Sequence, residues 1–190
     1  MADATIHAAG GVVVRGGARP RVAVVQRRKD ELWVLPRGKL RRDEHPLNGA
    51  RREVVEETGH RVIVGMFLGA IAYRTRGRPK VVQFWYMQAA AYPSRDVMKD
   101  IVAVEWLTLA AAIRRLSYPL EKLFLRNVGR HAVLRHKRKR HRKAHARAGK
   151  VKRRRSAGRT RATKAKKAAS RAAGRARPTT LRRVLRRLAA

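Results

Sequence analysis

The chain has 190 residues, of which 49 are Lys or Arg, 12 are Asp or Glu and none is Cys, giving a formal charge of +37. Without cysteine there is no disulfide framework, no thiol nucleophile and no Cys-ligated metal site. The N-terminal residues lack a basic start followed by a long apolar stretch, and no run of about 18 apolar residues occurs, so the expectation is a cytoplasmic protein with no transmembrane segment.

Charge divides the chain in two. Residues 131–190 hold 25 of the basic residues, no acid and no Phe, Trp or Tyr. Their few large aliphatics offer too little apolar surface to offset the chain entropy of ordering. The expected organisation is a folded domain over 1–130 and a Lys/Arg/Ala-rich tail over 131–190, helical or disordered.

Residues 5–14 and 21–26 are β-branched runs separated by Gly16, Gly17 and Pro20, which predicts two strands and a turn. Leu32–Leu35 is a short apolar run stopped by Pro36 and Gly38, and a charged loop follows to His45. Pro46 suits a first helical turn, Leu47, Ala50 and Val54 supply an apolar stripe, and Gly59 suits a left-handed cap, so a helix is predicted between them. His45 stands where Ser or Thr would cap better, and Gly49 is a weak helix former, so the helix start is expected to be weakened. Strands are predicted over 62–72, 80–90 and 101–107, then helices over 109–116 and from Pro119 onward. That order points to an α/β fold with a mixed sheet covered by helices.

Glu53, Glu56 and Glu57 fall at i, i+3 and i+4 of the first helix, so three carboxylates share one face and repel one another. A solvated acidic stripe is the plain reading. Mg²⁺ or Mn²⁺, which takes oxygen ligands and is often completed by substrate phosphates, is the functional one. Upstream, Gly38, Glu44 and Arg52 stand in fixed register with these acids, and Gly59 closes the segment. This pattern resembles the signature of the Nudix hydrolases, G-x5-E-x7-R-E-U-x-E-E-x-G-U, where U is a large aliphatic. His60 departs from it at the last position, where the expected effect is weaker packing below the helix. Trp33-Val34-Leu35-Pro36-Arg37-Gly38-Lys39 is also similar to the lead-in of the MutT-like and diadenosine-polyphosphate-hydrolase branches.

The resemblance implies an α/β/α sandwich and metal-assisted hydrolysis of a nucleoside polyphosphate. It implies Glu53, Glu56, Glu57 and the carbonyl of Gly38 as metal ligands, Arg52 as the group orienting the glutamates, and Glu44 as an auxiliary ligand. The general base stays open among Glu53 and Glu56, which are favoured, and Asp96, Asp100 and Glu105. Arg37 and Lys39 could reach outer phosphates, as could Arg28, with Arg27 and Lys29 beside it. Tyr73 and Trp85 could stack on a base, as could Trp33 and Tyr86, although aromatic residues in strands usually serve packing.

In the tail, Lys137, Arg138, Lys139 and Arg140, then Arg153, Arg154 and Arg155, form dense basic runs. A flexible cationic segment condenses on any polyanion by releasing counterions, which points to nonspecific DNA or RNA binding and a nucleoid-associated location. Two rival readings are an inositol pyrophosphate phosphatase and a nucleic-acid-binding protein built on an inactive Nudix scaffold.

Overall fold

The computed structural model describes residues 4–16 and 19–136; the basic runs from Lys137 onward lie outside the described residues. In chain order the elements are β1 (Ile6–Arg15), β2 (Arg21–Arg27), β3 (Trp33–Val34), β4 (Arg37–Lys39), α1 (Pro46–Thr58), β5 (Val62–Thr75), β6 (Arg78–Ala89), β7 (Ile101–Leu107), α2 (Leu109–Arg115) and a final helix α3 over residues 119–136.

β1 is the spine of a mixed sheet. It runs parallel to β6 from Ile6↔Lys80 to Val14↔Gln88, and β6 pairs antiparallel with β5. On its other side β1 meets β2 only at Val14↔Val22 and Arg15↔Arg21. Beyond that point the two strands splay, and β3 continues along β2 while β4 continues along β1. β7 pairs with the far edge of β2. The two predicted strands and their turn therefore form a hairpin, but a short one, and its open end admits the segment leading to α1.

Alternation along the strands sorts side chains to two faces. Ala9, Val13, Trp85 and Met87 meet Ala50 and Val54 of α1 on one face. Val12, Val24, Phe84 and Tyr86 meet Ala112 of α2 and Phe124 and Leu125 of α3 on the other. The result is the expected α/β/α sandwich. Among the described residues no helix is long and apolar enough to cross a membrane.

Several local expectations are revised. β4 carries no strand signal in the sequence, because three residues with neither a β-branched nor an aromatic side chain give no pattern; backbone pairing with Ala8–Gly10 makes it a strand. β5 and β6 run closer together than expected and turn on Arg76 (φ 49°) and Gly77 (φ 78°), two positive-φ residues that suit a tight hairpin. The charge boundary at Arg130 falls inside α3, where Ala132 and His136 are buried. His136 Nε2 donates to the Gly16 carbonyl at 2.7 Å, and Nδ1 accepts from Tyr86 Oη at 3.2 Å, so the folded part continues at least to residue 136.

Candidate active site

The N-terminus of α1 is capped after all by His45, whose Nδ1 accepts from the Leu47 amide at 3.3 Å. Gly49 is more than a weak helix former. A Cβ there would lie 2.4 Å from Leu40 Cδ2 and 3.0 Å from Glu44 Oε2, so its bareness lets Glu44 fold over the first turn. At the other end Gly59 adopts φ 71° and closes the helix as predicted. His60 does not loosen the packing. It is buried edge-on to Trp106, its Nδ1 donates to the Ala90 carbonyl at 3.0 Å, and its Nε2 accepts from Arg15 Nη1 at 3.3 Å.

Arg52 organises the acids. Its Nε and Nη2 grip the two oxygens of Glu44 at 2.8 and 2.7 Å in a fork, while Nη1 donates to Glu53 at 2.6 Å and Glu56 at 3.1 Å. Nη2 also reaches the Lys39 carbonyl at 3.3 Å, which ties β4 to α1. Hydrogen bonds from the Arg52 side chain, with one from the Arg41 amide, hold Glu44 down at about 2. Burial pushes Glu53 above the ordinary carboxylate range, with Arg52 opposing. Glu57 turns away from this cluster to accept from the Arg37 amide at 2.8 Å, and burial pushes it up to about 8. Among the described residues no three acids or histidines close around a common point; the guanidinium of Arg52 gathers Glu44, Glu53 and Glu56 instead.

Gly38 lies directly against Glu53, and a Cβ there would stand 2.0 Å from the Glu53 carboxyl. The carboxylates and backbone carbonyls here form an all-oxygen set suited to a hard divalent cation, and burial of Glu53 and Glu57 disfavours their charge unless a cation offsets it.

Arg37 passes through the splay of the sheet. Its amide serves Glu57 on the α1 face, whereas its side chain, 4% exposed, bonds Glu121 of α3 at 2.7 Å on the other. It is thus neither a solvated loop cation nor a long arm into solvent, and it lines one wall of a cavity of about 830 Å³. Lys39, Arg27, Lys29 and Tyr73 also line this cavity, with Lys80 and Tyr118. Burial, and after it the neighbouring cations, bring Lys80 down to about 8.

Two expected substrate residues lie elsewhere. Arg28 donates through Nε to the Lys99 carbonyl at 2.8 Å and is not on the cavity wall. Trp85 points to the α1 face, where it packs with Val54 and Met87 and meets Phe67 edge-on, because its neighbours Phe84 and Tyr86 take the other face. Of the alternative bases, Glu105 is ion-paired to Arg115 of α2 at 2.7 Å. Asp96 and Asp100 are exposed in the loop whose Met98 amide bonds the Glu56 carbonyl. Sequence reasoning missed Glu121, yet a signal existed: it is the only acid after Glu105.

An 8-oxo-(d)GTP phosphatase of Mycolicibacterium smegmatis is 34% identical over 134 residues, covering 64% of this chain and 41% of that protein. A MutT-like protein of Streptomyces ambofaciens is 37% identical over 98 residues, covering 52% of this chain and 60% of that one. The chain therefore spans about half the length of these relatives. Its fold is similar to that in a crystal structure of a C. elegans Ap4A hydrolase binary complex, with TM-score 0.60 and 21% identity over 67% of this chain and 98% of that one. The NUDIX domain family matches residues 5–146. That match starts one residue before β1 and passes the last described turn of α3, taking in every element that builds the site, and the chain belongs to the NUDIX domain family.

Proposed function

We propose that this NUDIX domain is a divalent-cation-dependent hydrolase that cleaves a phosphoanhydride bond of a nucleoside polyphosphate, either an oxidised (d)NTP or a dinucleoside polyphosphate. The observation that carries the reading is the α1 carboxylate set, ordered by Arg52 against Gly38, on a segment whose Arg37 and Lys39 also line a basic cavity. Glu53, Glu56 and Glu57 with the Gly38 carbonyl would hold Mg²⁺ or Mn²⁺. When bound, the cation supplies neutralisation of phosphate charge and a more acidic water.

The chain's own residues do the rest. Lys39, Lys80 and Lys29 offer fixed positive charge to the phosphate chain. Ile6, Ile71, Tyr73 and Tyr118 give the cavity an apolar side that suits a nucleobase better than an inositol ring, which favours a nucleotide over an inositol pyrophosphate. Water adds to phosphorus, the bridging P–O bond breaks with its electron pair leaving on the bridging oxygen, and the water's proton passes to a box carboxylate, Glu53 or Glu56. Arg52 keeps both within one guanidinium's reach.

The tail residues Lys137–Arg140 and Arg153–Arg155 would tether the domain to DNA or RNA through phosphate contacts. Engagement of six to ten phosphates would make affinity fall about 10³- to 10⁵-fold between 50 and 200 mM salt. A gel-shift series that is flat with salt would remove this role.

The test of the enzyme is Mg²⁺-dependent release of phosphate or pyrophosphate across a panel of nucleotides and inositol pyrophosphates, comparing the full chain with Glu56→Gln. Turnover of a nucleotide by wild type, lost on the order of 10²-fold or more in Glu56→Gln, supports the reading. A folded wild type that turns over nothing, yet binds DNA in a salt-dependent way, would make the site a scaffold.

A further inference from the structure

Glu121 is 1% exposed and spends both carboxylate oxygens on one short segment. Oε2 accepts from the Leu35 amide and Oε1 from Arg37 Nη2, each at 2.7 Å. Between them Pro36 has no N–H to give, and its carbonyl accepts from the Gly11 amide at 3.1 Å. The Arg37 amide is taken by Glu57. Here the chain changes partners from β2 to β1, so strand pairing leaves the Leu35 and Arg37 amides without a ladder, and two carboxylates from opposite faces replace it.

A buried ion pair contributes little net stability compared with an apolar pair of the same size. What it does fix is direction. An arginine keeps its charge in proteins, and Glu121, 2.7 Å from Nη2, fixes where that charge sits. Its Nε is buried and has no hydrogen-bond partner, although the side chain forms part of the cavity wall. Of the two acids on that wall, Asp30 is already paired with Arg27 and Glu121 with Arg37. The cavity is left with surplus positive charge from Lys29, Lys39, Arg74, Arg76, Arg78 and Lys80, and Arg37 stands fixed within its wall.

We infer that Glu121 is a positioning residue for binding of the substrate's anionic group: it fixes the Arg37 side chain in the cavity wall and clamps the segment that carries Gly38 and Lys39. The inference rests on reading the cavity as the phosphate site. It couples the last helix to the box, so that α3 is part of the active site without touching the reacting atoms.

The experiment is a double-mutant cycle on the full chain with Glu121→Gln, Arg37→Lys and the pair, measuring KM and kcat separately together with hydrogen exchange of the Leu35 amide. Glu121→Gln keeps the size but leaves one acceptor for two donors. Faster Leu35 exchange and a KM raised ~10-fold, with a smaller fall in kcat, are expected. In the Arg37→Lys background, Glu121→Gln should add little further rise in KM, because it acts through Arg37. A purely architectural role would lower the folded fraction, and so the apparent kcat, while leaving KM where it was; that result overturns the inference, as do KM penalties that multiply. Should Glu121→Gln not fold, Glu121→Asp, which keeps the charge and shortens the reach, gives the same comparison. If wild type hydrolyses no nucleotide, the cycle is read from ADP dissociation constants by calorimetry, which separates failure of the positioning role from failure of the enzyme reading.

Discussion

Gly38→Ala asks whether the bare backbone at β4 sets the carboxylate geometry. Gly38 has no positive φ, so an alanine is compatible with its backbone and any effect comes from the added methyl alone. That methyl would stand 2.0 Å from Glu53 Cδ and Oε2 and 2.4 Å from Oε1, where ordinary contact begins at 3.4 Å. The carboxyl must retreat by on the order of 1 Å, a displacement that costs ~10²-fold in rate when the group belongs to the catalytic constellation. Glu53 is bonded to Arg52 at 2.6 Å, so its retreat also disturbs the fork on Glu44 and the contact to Glu56. The stability loss should remain within about 1–3 kcal/mol, typical of overpacking at one site. Thermal unfolding by circular dichroism and steady-state Mg²⁺-dependent nucleotide hydrolysis, measured on the same preparation, separate the two effects. A folded Gly38→Ala protein with wild-type kcat would refute the placement of Glu53 in the machinery.

Arg52→Lys keeps the charge but loses the fork on Glu44 and the bridge between Glu53 and Glu56; activity should fall about 10- to 100-fold with little change in fold, as kinetics and near-ultraviolet dichroism would report. Gly59→Ala places a side chain at φ 71° and a Cβ 2.6 Å from the Arg95 carbonyl, so a loss of at least ~1 kcal/mol is expected in urea unfolding. Glu57, held near 8 by burial, binds a proton in the folded state that the unfolded chain releases above its ordinary value of 4.5. Its contribution to stability is thus full below about pH 4.5 and is lost as pH rises towards 8, so metal-free protein should melt lower at pH 8 than at pH 5. Glu57→Gln should remove that part of the slope, and an unchanged slope in the variant would contradict the burial argument.

The sequence by itself determined the elements whose information is local. α1 announces both ends through Pro46 and Gly59, and the i, i+3, i+4 spacing puts its acids on one face whatever the rest of the chain does. β1, β2, β5, β6 and β7 follow from β-branched and aromatic runs. The register of Gly38, Glu44, Arg52 and the glutamates marks the family in the sequence itself.

Tertiary structure alone decided which residues meet across the sheet. Trp85 and Tyr73 carry similar local signals, yet one faces α1 and the other the cavity, because the register against β1 and β5 sets the face. Arg28 and Arg27 are adjacent in sequence, and only Arg27 lines the cavity. Arg37 and Glu121 are 84 residues apart, and nothing local in either segment specifies their bond. That bond exists because β1 and β2 splay, the 35–38 segment enters the gap, and its backbone donors, cut off from a strand ladder in a buried place, must find acceptors wherever the packed helices supply them.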